Sequence, residues 1–135
     1  MNHVPESHAD LLRRPLFAHL ATVRPDGSPQ SSVMWFEWDG GLLRFSLTRN
    51  RQKFGNLAGE PRVALTIADP DDPYRSLDIR GVVDDITDDP DAGFLRSLQE
   101  RYGYAFEIGD ADVRVVLAIR PGRFIRVESG RVVNA

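Results

Sequence analysis

Between Phe45 and Leu57 the chain reads Phe-Ser-Leu-Thr-Arg-Asn-Arg-Gln-Lys-Phe-Gly-Asn-Leu, passing from hydroxyls to cations in quick succession. Ser46 and Thr48 end a run of strand character, and Arg51 and Lys53 fall at the start of a short helix expected over Asn50–Leu57. A helix N-terminus presents unpaired N–H groups and the positive end of its dipole. Hydroxyls and two cations placed there converge on the position an anion would take. Lys53 is the only lysine among 17 basic residues. Its ammonium is a compact point charge suited to phosphate, where a guanidinium would ask for a planar fork. Two readings stand on these residues alone: an anion cradle, or the solvated face of a basic helix.

Other chemistry finds little support. The three histidines (His3, His8, His19) make neither HxH nor HxxxH spacing, so no metal site is expected. The Asp-rich stretches Asp69–Asp72 and Asp84–Asp91 lack the order of a calcium loop and read as helix caps and solvated turns. No Gly-x-Ser-x-Gly, Walker or Gly-x-Gly-x-x-Gly sequence occurs, and without cysteine there is no thiol nucleophile, disulfide or iron–sulfur cluster. No side chain is assigned a catalytic role on these grounds.

The chain has 135 residues, 41% hydrophobic and 27% charged, which fits one globular domain over 1–135. No apolar run is long enough to span a membrane, and the N-terminus has no h-region, so a cytoplasmic protein without membrane association is expected. The net charge of −3 argues against nucleic acid as a partner. From Arg44 to Arg62, however, five cations face one acid, a net of +4, leaving −7 on the remainder. A local positive field on an acidic protein suits a small anionic ligand.

The elements that must position these groups are mainly β. Ser7 and Asp10 suggest a cap for a helix over Ala9–Arg14, ended by Pro15. Leu16–Val23, Gln30–Trp38 and Leu42–Leu47 read as strands, joined by turns at Arg24–Ser28 and Asp39–Gly41 whose Asp-Gly pairs favour tight hairpins. Arg62–Ala68 and a long Ser76–Ile86 are further strands, with a loop at Asp69–Pro73 and a bulge or bend at Gly81. A helix capped by Asp88–Asp91 runs to about Tyr102, and Val113–Ile119 and Phe124–Glu128 close the sheet around an Arg-Pro-Gly turn. The result is a small antiparallel barrel with two or three outer helices. Gln30–Trp38 is apolar on both faces, so one face fills the barrel and the other needs a cover: a partner subunit, a flat aromatic ligand, or both.

Ala21-Thr22-Val23 before Arg-Pro-Asp-Gly, then Pro29-Gln30, then Arg51-x-Lys53-x-x-Asn56-Leu57 resemble the pyridoxamine 5′-phosphate oxidase-like split β-barrel superfamily. Asp69–Arg75, Ile79-Arg80-Gly81 and Arg101-Tyr102 are similar to its branch of deazaflavin (coenzyme F420)-dependent oxidoreductases. The resemblance spans residues 10–128. It implies an FMN-binding-like split barrel of six to seven antiparallel strands, a homodimer, and two cofactor sites along the subunit interface. It further implies that Arg51 and Lys53 hold the cofactor phosphate and that Ser46, Leu47 and Thr48 line its approach, with Asn56 part of the motif. Gln30, Ser31 and Ser32, with Tyr74, Arg75, Ser76 and Leu77, would border the ring and tail. Two positions depart from the pattern: Gly55-Asn56-Leu57 stands for Arg-Asn-Leu, and Ser46-Leu47-Thr48 replaces a Ser-Thr pair.

The function expected from this is an oxidoreductase passing hydride from reduced F420 to a small conjugated acceptor, with Tyr74 a candidate proton donor. Arg49, Arg62, Arg75 and Arg80 could meet the oligoglutamate tail of F420. The alternatives are an FMN-binding flavin reductase on the same fold and an F420 carrier without turnover.

Overall fold

The computed structural model describes residues 3–133. Eight antiparallel strands form one sheet: β1 (Ala18–Val23), β2 (Pro29–Met34), β3 (Glu37–Trp38), β4 (Leu43–Thr48), β5 (Arg62–Asp69), β6 (Asp72–Asp88), β7 (Arg114–Glu128) and β8 (Arg131–Val132). Their order is β2-β1-β5-β6-β7-β4-β3, with β8 on β7. Among the described residues three α-helices accompany it, α1 (Asp10–Arg13), α2 (Gln52–Gly59) and α3 (Gly93–Tyr102), with short 3-10 turns at Glu6–His8 and Ala111–Val113. The expected mainly β class holds, with one strand more than the upper expectation.

Alternation builds the core. In β5, Val63, Leu65 and Ile67 are buried while Arg62, Ala64 and Ala68 face out, the period-2 pattern of a half-buried strand. β4 does the same, sending Leu43, Phe45 and Leu47 inward. Leu20, Leu77, Ile79, Leu117 and Ile119 complete the layer, and Leu11 and Leu12 of α1 join it. The first hairpin forms as expected, with Gly27 at φ +86° and its N–H on the Arg24 carbonyl at 2.8 Å.

Four expectations need correction. Gln30–Trp38 is not one strand, because the chain breaks at Trp35-Phe36 and carries β2 and β3 to opposite ends of the sheet path. Arg120-Pro121-Gly122 is not a turn but lies inside the 15-residue β7. There Pro121 faces Gly81 where the β6–β7 register shifts, since proline cannot donate to the ladder. The loop expected over Asp69–Pro73 shrinks to a turn at Pro70-Asp71, held by the Asp71 N–H on Asp69 Oδ1 at 2.9 Å. Ser7 does not cap α1: its hydroxyl is 2.8 Å from Nδ1 of buried His8, whose Nε2 lies 3.1 Å from the Val127 carbonyl.

Candidate anion pocket and aromatic cleft

The β4 alternation that buries Leu47 turns Ser46 and Thr48 to the opposite face, and α2 begins three residues beyond Arg49 with Arg51 as its N-cap. No side chain caps α2. Ser46, Thr48, Arg51 and Lys53 all line one pocket of about 140 Å³, together with Val33, Met34, Leu47 and Arg114. The Lys53 side chain is only 9% exposed, and no acceptor lies against it among the described residues. Burial, and then the neighbouring charge of Arg51, hold its pKa below the usual lysine range. Thr48 Oγ1 is fully buried with no hydrogen-bond partner among the described residues. A buried charge and a buried hydroxyl both lacking partners are costly unless something supplies acceptors. An anion carrying several oxygens would satisfy both, so the residues present fit a phosphate.

Asn56, a member of the motif, is engaged within the chain. Its Nδ2 donates to Thr22 Oγ1 at 3.0 Å and to Gln30 Oε1 at 2.8 Å, and its Oδ1 accepts from Gln52 Nε2 at 2.9 Å. Its donors moor α2 to β1 and β2, while its oxygen is taken by Gln52 one turn earlier in the same helix, and this fixes where Lys53 stands. Asn56→Ala is expected to cost about 1–3 kcal/mol, the range for leaving buried polar groups unpaired. Urea unfolding checks this, and an unchanged midpoint would contradict it.

The other expected site residues are not drawn together in one chain. Gln30 is half-buried and committed to Asn56; Ser31 is exposed and Ser32 half-buried on β2, and none of the three lines the anion pocket. Tyr74, near the start of β6, is 67% exposed, whereas Leu77 is fully buried and offers its side chain only to the core. Arg75 pairs with Asp10 and, at 2.8 Å, with Asp69, and it reaches the Ser7 carbonyl at 2.7 Å. Ser76 lies between Ala68 and Val127 in the sheet. The local positive field is also smaller than the sequence count suggests. Arg44 pairs with Asp39, Arg49 with Asp88 and Arg62 with Glu60, whose carboxyl is drawn down to about 2 by hydrogen bonds from Arg62. Among the described residues Arg51 and Lys53 have no ion-pair partner.

A second, apolar cleft of about 290 Å³ adjoins the pocket, sharing Val33, Met34, Ser46 and Arg114. Trp35 stacks on Tyr102 of α3 at 4.8 Å and 10° between planes, with Phe106 at 6.2 Å and Phe17 beyond Tyr102 at 6.3 Å. Tyr102 is itself held firmly: its hydroxyl donates to the Leu16 carbonyl at 2.6 Å and accepts from the Phe36 N–H at 3.0 Å. Part of the cover expected over the apolar segment is therefore supplied by α3 and the residues after it. Val33 stays 59% exposed. Arg114 was not anticipated, and its signal was faint: an Asp four residues earlier, which reads as an ordinary surface pair.

Fold and pocket together define the class, an antiparallel split barrel with a pocket lined by hydroxyls and cations beside its β4 strand. The family model described as pyridoxamine 5′-phosphate oxidase matches residues 4–128, and the chain belongs to that family. Among solved structures it is similar to one named F420 reductase, at 49% identity and a TM-score of 0.88, covering 90% of this chain and 98% of that one. A conserved hypothetical protein from Mycobacterium tuberculosis is 27% identical with a TM-score of 0.74, covering 95% and 87%. General Stress Protein 26 from Bacillus anthracis, at 19% identity and a TM-score of 0.70 over 96% and 97%, shares the fold. Comparison with curated proteins returns no match. Family and neighbour support an oxidoreductase. No helix among the described residues is long and apolar enough to cross a membrane.

Proposed function

We propose that this protein binds coenzyme F420 by its phosphate in the β4–α2 pocket and serves hydride transfer from the reduced coenzyme to a conjugated organic acceptor. The observation that carries the reading is the pairing of an uncompensated buried Lys53 with the orphaned Thr48 hydroxyl in one pocket. The similarity to a protein named F420 reductase supports the choice of coenzyme. When bound, the coenzyme supplies the hydride chemistry, so the chain needs no acid–base pair of its own.

The residues of the chain have separable tasks. Lys53 and Arg51 would neutralise the phosphate, and the Thr48 hydroxyl would donate to it. Asn56 keeps α2 at the distance where Lys53 can reach. Met34 and Val33 would give a bound ring an apolar wall, and Trp35, backed by Tyr102, and Phe106 would keep water from the adjoining cleft. Turnover separates an enzyme from a carrier: reduced F420 should be consumed when a quinone is added, and binding without consumption would mark a carrier.

One observation favours FMN on the same fold. The arginines that could meet an oligoglutamate tail (Arg49, Arg62, Arg75) are already ion-paired, which leaves a pocket sized for a single phosphate. The Arg49 and Arg62 pairs are solvent-exposed and contribute little, so a tail carrying several carboxylates could compete for them; Arg75 is held more firmly against the buried Asp69, and Arg80 is exposed.

The same reading includes a homodimer. Val33, Phe17 and Phe106 are each more than two-fifths exposed, and a partner covering them would remove apolar surface from water. Tyr74, exposed on β6, would be free to reach the site of a second copy. Light scattering at roughly micromolar concentration should give twice the 15.2 kDa chain mass; a monomer would contradict the dimer.

A further inference from the structure

Arg114 opens β7 directly opposite Thr48 of β4, and its side chain is 14% exposed. Its Nε and Nη2 donate to the two carboxylate oxygens of Asp110 at 3.0 and 3.1 Å, and its Nη1 donates to Ser46 Oγ at 3.3 Å. A guanidinium has five N–H groups in a rigid fork, so this clamp fixes the plane and leaves two donors unused. Arg114 also stands in the shared wall of the anion pocket and the aromatic cleft.

The charge arithmetic distinguishes this group from Lys53. Asp110 compensates the Arg114 charge, so the pair holds a full anion less strongly than the unpaired Lys53 and Arg51 do. What it offers is direction: charge-assisted donors suited to a neutral, polarised oxygen. Ser46 adds to this, because its oxygen already accepts from Arg114 and its own hydrogen is left for another acceptor. The cleft beyond is flat and apolar, bounded by Trp35, Phe106 and Phe17. A ligand matching both ends is a planar conjugated molecule with a carbonyl-type oxygen at one edge.

We propose that Arg114, clamped by Asp110, determines specificity by presenting donors to a carbonyl-type oxygen of a flat acceptor lying in the aromatic cleft. This rests on the reading that the site serves hydride transfer to a conjugated acceptor, and it names the acceptor's polar feature and the residue that recognises it.

Equilibrium dialysis of 1,4-naphthoquinone and of naphthalene, against protein carrying oxidised F420, compares a probe bearing two carbonyl oxygens with its oxygen-free counterpart. Arg114→Met should weaken quinone binding about tenfold or more, as expected for losing a charge-assisted hydrogen bond, and leave naphthalene within about twofold. Arg114→Lys, which keeps a charged donor without the fork, should restore part of the loss. If both probes weaken equally, or the quinone is unaffected, the proposal is overturned. Where Arg114→Met fails to fold, Asp110→Asn keeps the guanidinium but loosens the clamp: a loss confined to the quinone supports the proposal, and an equal or absent loss overturns it. Should the parent bind no F420, the same dialysis on the ligand-free protein still decides the role of Arg114, while the coenzyme reading fails separately.

Discussion

Lys53→Met is expected to stabilise the ligand-free protein while weakening coenzyme binding by about 1.5–3 kcal/mol, the range for a charge-assisted hydrogen bond. Methionine keeps the unbranched stem that fills the site and removes a charge with nothing to pair with. The stability effect carries a pH signature. Lys53 titrates below its ordinary value in the folded chain, chiefly through burial and then through the Arg51 charge. Between that lowered pKa and the unfolded value near 10.5, the unfolded chain holds a proton that the folded chain has released. Stability of the parent therefore rises with pH across this window, and at lower pH the charged form costs the fold its full penalty. The variant should lack that rise. Coenzyme binding runs the other way, since phosphate needs the ammonium and loses it as pH climbs through the folded pKa. Melting temperatures measured across the window check the first part, and coenzyme titrations the second. A variant that melts lower and binds as tightly as the parent would contradict both.

Gly81→Val should be the most damaging single change outside the core side chains. Gly81 faces Pro121 at the β6–β7 register shift, and a Cβ there would lie 2.8 Å from the Arg120 carbonyl oxygen and 2.8 Å from Ile119 Cγ2. The carbonyl belongs to the backbone of the strand β6 packs against, so it cannot swing aside as a flexible side chain could. Overpacking of this kind costs about 1–3 kcal/mol. Valine should sit at the upper end of that range and alanine lower. The urea midpoint should fall with an unchanged slope, and coenzyme affinity per folded molecule should stay as in the parent. A Gly81→Ala protein as stable as the parent would mean that the two strands can separate without cost.

The same bulge shows where sequence suffices. Gly81 announces an irregularity because a glycine inside a long β-pattern needs a local reason, and the β5 alternation and Asp-Gly hairpins announce themselves equally. The partner of the bulge could not be read: Arg-Pro-Gly is a turn by local rules, and only pairing with a 17-residue β6 makes it the interior of a strand. Gln30–Trp38 misleads similarly. Its unbroken apolar run conceals a crossing between the two ends of the sheet, which depends on contacts of Phe36 and Trp35 with residues more than sixty positions away. For the site, Thr48, Arg51 and Lys53 were legible because hydroxyls and cations cluster within one turn of chain and helix. Arg114 was not, because only the β4–β7 register brings it beside Ser46 and Thr48. The motif alone implies ligand-facing roles for Arg75, Asn56 and Leu77, but their ion pairs, hydrogen bonds and core position depend on tertiary neighbours.

Titration of the purified protein with F420 and with FMN, read by tryptophan fluorescence, tests the central claim most directly. Trp35 stands next to the shared Val33–Met34 wall of pocket and cleft and stacks on Tyr102, so a ring laid against that wall should quench it; Trp38, packed edge-on to Phe124, serves as the less responsive reporter. F420 should give saturable quenching in the low micromolar range, about −8 kcal/mol, with FMN weaker. Because a carboxylate tail adds a screened electrostatic contribution, the preference for F420 should shrink as the screening length shortens toward about 3 Å at 1 M salt. Tighter binding of FMN, or a protein that emerges from purification yellow with bound FMN, would contradict the F420 assignment, and no response to either would contradict the coenzyme site itself.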